Sequence, residues 1–62
     1  MKFRKVKNKE KWVAKNGTNI TWDYWTKQYC INRRTFFKFV NGTLEDAIEI
    51  AKNDFRFNKE DK

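Results

Sequence analysis

The sequence has few of the residues that build disulfides, metal sites and phosphate-binding loops. It contains no His, one Cys and two Gly among its 62 residues. A single Cys cannot form an internal disulfide, and without His there is no recognisable zinc site, so no cofactor is implied. Cys30 also has no His to activate it, and no reactive serine or glycine-rich loop is present. We therefore expect a cytoplasmic protein that is not an enzyme.

Long hydrophobic runs are also missing. No apolar run approaches the roughly 18 residues of a membrane-spanning helix, and the N-terminal residues lack the apolar centre of a signal peptide. The length allows one domain, and a chain this small buries only about 60% of its extended-chain surface on folding. We expect a soluble single-domain protein with no membrane partner.

Aromatic residues and cations are abundant by contrast. Six Phe, three Trp and two Tyr predict a core built mainly from Trp and Phe. Residues 1 to 42 hold eleven Lys or Arg against two acidic residues, a net +9, whereas residues 43 to 62 hold four against six, a net −2. This uneven distribution favours a polyanionic partner, and the alternative is that the lysines only keep the chain in solution.

Twenty residues beginning at Trp22 organise the sequence. Trp25 and Tyr29 follow Trp22 at the spacing of one helical face, and the hydroxyl of Thr21 can cap the first turn. The pattern predicts a first helix from about Thr21 to Tyr29, with Trp25 at the centre of the core. Either Trp22 or Tyr24 should then lie partly exposed, packing within the protein or stacking on unpaired bases.

A second helix is predicted from Arg33 to Val40. Asn32 precedes it as a second cap, and Phe36 and Phe39 are spaced to turn inward. Gly42 would end this helix because glycine enters the left-handed conformation without steric cost.

The spacing resembles that of the helix-turn-helix DNA-binding family. That pattern has apolar residues at its fourth, eighth, tenth, fifteenth and eighteenth places. Counted from Trp22, these places hold Trp25, Tyr29, Ile31, Phe36 and Phe39. The stretch from residue 12 to 51 looks most like the small modules of phages and mobile elements. It departs where Thr26 stands for a usual Ala and where Cys30 stands for a usual Gly, which puts the shape of the turn in doubt.

The resemblance implies a mainly α fold, a three-helix helix-turn-helix domain with a short N-terminal β-hairpin. It further implies sequence-specific binding of double-stranded DNA, as a transcriptional regulator or a recombination accessory factor. In the family, residues at the N-terminal end of the second helix contact base edges, so the resemblance assigns base reading to Arg33 and Arg34. The outward face of the predicted helix and the chemistry of its side chains add Asn32, Phe37 and Lys38. Phosphate contacts by the two arginines, and a core position for Phe37, are the alternatives. A β-sheet in this segment would remove the gene-regulator interpretation.

The sequence divides into three parts: residues 1–11 as a basic arm or edge strand, 12–57 as the domain, and 58–62 as a frayed tail. Asn16-Gly17, between two β-prone runs, predicts a hairpin whose Trp12 and Ile20 pack against the helices. The expected contacts to the DNA backbone are Arg4, Lys5, Lys7, Lys15, Lys27 and Asn41. A solvated turn is the alternative for Lys15, and a frayed terminus is the alternative for the arm.

The clearest helix follows Thr43, which can act as its N-cap. Its apolar face consists of Leu44, Ala47, Ile48 and Ala51, and its acidic face should lie away from DNA. After it, Phe55 and Phe57 alternate around Arg56, which predicts a short terminal strand or a dimer contact.

Two functions remain open at this point. One module buries little surface, so useful specificity would need a homodimer on paired half-sites or a tandem arrangement. The second hypothesis is a phage-encoded inhibitor whose basic, aromatic surface docks on a host enzyme with an acidic surface, because Arg and Trp are common in protein-binding hot spots.

Overall fold

The computed structural model describes residues 1 to 59, in which five strands are followed by two helices. The elements are β1 (Arg4–Lys5), β2 (Lys11–Val13), β3 (Asn19–Asp23), β4 (Gln28–Arg33), β5 (Phe36–Val40), α1 (Leu44–Asn53) and α2 (Phe55–Asn58). The strands form one antiparallel sheet in chain order, from β1 at one edge to β5 at the other. The expectation of a mainly α helix-turn-helix domain is therefore wrong.

The segment expected to form two helices forms most of the sheet instead. β3 and β4 pair along their length, from Asn19 opposite Asn32 to Asp23 opposite Gln28. β-branched and aromatic residues are nine of the sixteen residues of β3, β4 and β5, and such side chains pack well on a pleated surface. Their apolar residues satisfy a period of two as well as the helical spacing, and long-range pairing decides between the two patterns.

The turns of this segment carry no glycine. Lys27 ends the β3–β4 turn with φ +58°, and Arg34 begins the β4–β5 turn with φ +55°. Both residues occupy the left-handed region, which few non-glycine residues adopt, so the usual hairpin signal is missing from the sequence. The hairpin predicted at Asn16-Gly17 is confirmed, because Gly17 has φ +90° and Trp12 pairs with Ile20 across β2 and β3.

The core lies between one face of the sheet and the helices. Ile20, Ile31 and Val40 from the strands meet small or aromatic residues from the helices, namely Ala47, Ala51 and Phe57. Two alanines let α1 approach the sheet closely, while Trp12 and Tyr29 pack at the margin. The expected Trp and Phe core is wrong, since Trp25 lies in a turn with 96% of its surface exposed.

The helix predicted after Thr43 is confirmed as α1. The backbone N–H of Asp46 donates to Thr43 Oγ1 at 3.1 Å, and the backbone N–H of Thr43 donates to Asp46 Oδ2 at 3.0 Å. This reciprocal capping box satisfies two backbone donors at the helix start. Gly42 does not end a helix as expected. A Cβ there would come within 2.5 Å of Asp46 Oδ2, so glycine makes room for the cap.

The terminal strand predicted around Phe55 and Phe57 is wrong, because these residues belong to α2. The carbonyl oxygen of Phe57 accepts from Thr18 Oγ1 at 2.6 Å and from Asn16 Nδ2 at 2.7 Å. These bonds fix α2 to the β2–β3 turn and bring the Phe57 ring into the core. Asn58 ends α2, and the rest of the tail predicted to fray includes residues 60–62, which lie outside the described part of the chain.

The basic N-terminal segment contributes an edge strand. In β1, Arg4 pairs with Val13 and Lys5 pairs with Trp12. Over residues 1 to 59, no helix is long and apolar enough to cross a lipid bilayer.

Candidate nucleic-acid interface

The face of the sheet turned away from the helices is the candidate site. Successive side chains of a strand point to opposite faces, so the cross-strand pairs of the sheet define which residues share this face. We name this surface the open face, and its residues are Arg4, Lys11, Val13, Asn19, Thr21, Asp23, Gln28, Cys30, Asn32, Phe37 and Phe39.

The centre of the open face is polar. Asn19 on β3 lies opposite Asn32 on β4, and Thr21 lies opposite Cys30. Asn32 Nδ2 donates to the carbonyl oxygen of Cys30 at 3.4 Å, and the Cys30 thiol donates to Asn32 Oδ1 at 3.6 Å. Amide and hydroxyl side chains both donate and accept hydrogen bonds, so these strands present a mixed array to a ligand.

Cys30 lies within this polar array but is not prepared for nucleophilic chemistry. Partial burial raises the pKa of the Cys30 thiol above its usual value, and the hydrogen bond with Asn32 offsets part of that effect. The negative charge of Asp23 raises this pKa further. The neutral thiol therefore predominates at pH 7, which fits a packing residue better than a reactive one.

The two layers of the molecule differ in charge. The open face carries Arg4 and Lys11 against Asp23, a net +1, whereas α1 on the other side of the sheet carries Glu45, Asp46 and Glu49 against Lys52, a net −2.

Asp23 is the acidic residue of the open face, and it shapes the β3–β4 turn. Its Oδ1 accepts from the backbone N–H of Trp25 at 2.9 Å, and its Oδ2 accepts from Thr26 Oγ1 at 3.0 Å. Asp23 therefore holds the turn in place and leaves one acidic residue at the end of the open face.

Two of the five predicted base-reading residues lie on the helix-covered face of the sheet. Arg33 is buried on the helix-covered face, where its Nε donates to the carbonyl oxygen of Asn16 at 3.3 Å and its Nη1 to that of Arg56 at 3.4 Å. Lys38 lies opposite Ile31 on the same face and lines a groove beside the helices. Strand alternation places these two residues behind the sheet, away from the open face.

The other three predicted base-reading residues are accessible in different ways. Asn32 and Phe37 form a cross-strand pair on the open face, and Arg34 lies exposed in the β4–β5 turn. The structure therefore brings Asn32 and Phe37 together and separates them from Arg33 and Lys38.

The predicted backbone-contact residues are spread over several surfaces. Arg4 is on the open face, whereas Lys5 lies opposite Trp12 and so belongs to the other face. Three lysines lie in turns, and Asn41 follows β5 and lines the groove beside the helices. The turn lysines are Lys7, Lys15 and Lys27.

Sequence reasoning missed the polar residues that lie between the apolar ones on the central strands. Asn19 and Thr21 flank Ile20, and Gln28 precedes Tyr29. This alternation of polar and apolar residues is the signal of a half-covered strand, and it would have identified the open face. Lys11 was also missed, because it falls at the end of a segment interpreted as an arm.

The fold and this face define a small antiparallel-sheet protein with helices covering one side and a polar, cationic surface on the other. Comparison with protein-family models, curated proteins and solved structures returns no match. Among residues 1 to 59, no group of three or more His, Cys, Asp or Glu is placed to hold a metal ion.

Proposed function

We propose that the protein binds double-stranded DNA through the open face. The observation that carries this proposal is the difference in charge between the open face, a polar surface with a net charge of +1, and α1 behind the sheet, with a net charge of −2. Such a surface attracts a polyanion from one side. A role as a gene regulator depended on a helix-turn-helix, and residues 22 to 41 form strands and turns instead, so the proposal does not extend to gene regulation.

The dimensions of the central hairpin fit a major groove. Neighbouring strands lie roughly 4.8 Å apart, so β3 and β4 together match a major groove about 12 Å wide, while the twist of the sheet lets β2 and β5 lie over the flanking phosphate backbones. With β3 and β4 in the groove, Asn19 and Asn32 can each pair with an adenine edge, and Thr21 can bond to either base of a pair. Lys11 on the adjacent strand β2 and Arg4 on the edge strand β1 are then placed for phosphate contacts that orient the sheet.

Salt dependence of binding, measured on matched charge variants, tests this orientation. Each neutralised phosphate releases counterions, so affinity for duplex DNA should fall steeply with salt. We expect Lys11→Gln to reduce the slope of log affinity against log salt by about 1, because one phosphate contact is lost. Lys52→Gln removes the same charge from α1 and should leave the slope unchanged. The readout is fluorescence anisotropy with a labelled duplex.

Three outcomes of that titration would contradict the proposal. Affinity that does not change with salt would remove the electrostatic basis, and equal effects of the two lysine variants would remove the assignment to the open face. Tighter binding of a single strand of the same sequence would show that the ligand is not a duplex.

A second candidate function is binding to a partner protein with an acidic surface. The observation that favours it is Trp25, fully exposed on a turn that is held by the Asp23 carboxylate and by a 2.9 Å bond from the Lys27 N–H to the Asp23 carbonyl. A preorganised tryptophan is a common hot-spot residue. Capture of host proteins after nuclease treatment, reduced by Trp25→Ala, would favour this candidate. In both candidates the protein acts in the cytoplasm without enzymatic activity.

A further inference from the structure

The two edges of the sheet are very different. β1 is two residues long and both are cations, whereas β5 is five residues long and four are apolar. Exposed edges are normally kept short or charged, because an unpaired row of backbone groups can pair with another chain. In the described part of the chain, β5 has no strand on its outer side. It is therefore an edge with little protection against pairing.

The side chains around β5 add exposed apolar surface to this edge. Phe36, Phe37 and Phe39 are 48%, 62% and 43% exposed, and the rings of Phe37 and Phe39 meet edge to face with centroids 5.9 Å apart. Phe55 of α2, which is 78% exposed, lines the groove that runs beside Val40. Phenylalanines thus lie exposed on both faces of the same edge strand.

We propose that β5 pairs antiparallel with β5 of a second copy of this chain. A two-fold axis perpendicular to the sheet would relate the copies and join two five-stranded sheets into one of ten strands. Each copy has one such edge, so the assembly closes at two. Both open faces would lie on the same side of the joined sheet. The pairing does not depend on DNA binding, since it uses the edge of the sheet.

The charge of Lys38 limits the register of this pairing. An axis through Lys38 would place two ammonium groups directly opposite, which is destabilising. An axis through Phe37 places Lys38 opposite Phe36, and an axis through Phe39 places Lys38 opposite Val40. In both of these registers, each paired residue lies on the same face of the joined sheet as its partner, and the two Lys38 ammonium groups are not opposite each other.

The available apolar surface has the size that a dimer needs. A phenylalanine buries roughly 150–250 Å². The exposed parts of the four phenylalanines equal more than two whole residues, or roughly 350–580 Å² per copy. A standard interface buries about 800 Å² per partner, somewhat more than half of it apolar. Pairing through β5 would therefore cover these phenylalanines with an interface of ordinary size and composition.

Sedimentation equilibrium of the full chain, without nucleic acid, tests the pairing. We expect a limiting mass of twice the 7.7 kDa of one chain. Phe37→Glu should raise the dimer dissociation constant at least about 30-fold, the effect of removing a central aromatic anchor. Trp25→Glu makes the same kind of change on the β3–β4 turn and should leave the constant unchanged. Circular dichroism of the two variants tests whether each one folds.

Hydrogen exchange then distinguishes strand pairing from general hydrophobic association. Amides of β5 should exchange more slowly as the dimer forms, while those of β1 should not change. The proposal is overturned if the chain remains a monomer at millimolar concentration or if its mass grows beyond two copies. It is also overturned if the two variants change the dissociation constant equally, or if the exchange rates of the β5 amides do not depend on protein concentration. None of these results depends on whether the protein binds DNA.

Discussion

At the scale of single residues, Arg33 connects three parts of the chain from a buried position. It lies at the end of β4, and its guanidinium donates to carbonyl oxygens of the β2–β3 turn, at Asn16, and of α2, at Arg56. Hydrogen bonds from a charged donor to buried acceptors are stronger than neutral ones. Arg33 is therefore a structural residue, and its positive charge is not available on the open face.

Replacing Arg33 should lower the stability of the folded protein. We expect Arg33→Ala to lower the free energy of unfolding by about 2–3 kcal/mol, because two carbonyl acceptors lose a charged donor. Lys7→Ala removes a positive charge from the exposed β1–β2 turn and should cost less than about 0.5 kcal/mol. Urea unfolding followed by circular dichroism measures both values. A change in the preferred DNA sequence of folded Arg33→Ala would contradict the structural assignment.

At the scale of elements, the parts that could be predicted from the sequence are those with a local cause. The capping box of Thr43 and Asp46 and the spacing of apolar residues identified α1, and Asn16-Gly17 identified the β2–β3 hairpin. β4 and β5 could not be identified in this way, because their pairing is long-range and their turns place Lys27 and Arg34, rather than glycine, at positive φ.

The residues of the candidate site could be predicted only in part, because a helical period was used where the segment forms strands. Asn32, Phe37 and Arg4 were selected for their chemistry and do lie on the open face. Arg33 and Lys38 were selected by helical geometry, and the period of two in a strand puts them on the opposite face. The chemistry of the residues could therefore be predicted, whereas their arrangement required the correct period.

The junction between α1 and α2 should respond to acid. Asp54 ends α1 and caps α2, and its Oδ2 accepts from Arg56 Nη2 at 2.8 Å. The hydrogen bond from Arg56 lowers the pKa of Asp54 from 3.8 to about 2. The unfolded chain thus takes up this proton at a higher pH than the folded chain. The stabilisation is complete above pH 3.8 and is lost as the pH falls toward 2.

Unfolding midpoints measured between pH 4 and pH 2 test this dependence. We expect the midpoint of the native protein to fall through this window and that of Asp54→Asn to fall less. Parallel curves for the two proteins would show that the contact between Asp54 and Arg56 does not contribute.

At the scale of the whole molecule, the core and the proposed binding surface lie on opposite faces of the sheet. The helices close the core with Ala47, Ala51 and Phe57 and carry acidic groups on their outer surface. The sheet is left with one face for a ligand. Cys30 lies near the middle of that face, so the protein contains its own reporter of what covers the open face.

Alkylation of Cys30 by a maleimide should slow when duplex DNA saturates the protein. The free thiol reacts slowly because burial raises its pKa, and a bound duplex would add steric exclusion. A Lys52→Cys variant in a Cys30→Ser background places the thiol on α1, where the same duplex should not protect it. Added salt should restore the rate at Cys30 by releasing the DNA. Equal protection at both positions, or none at Cys30 under saturating duplex, would show that the DNA does not lie on the open face.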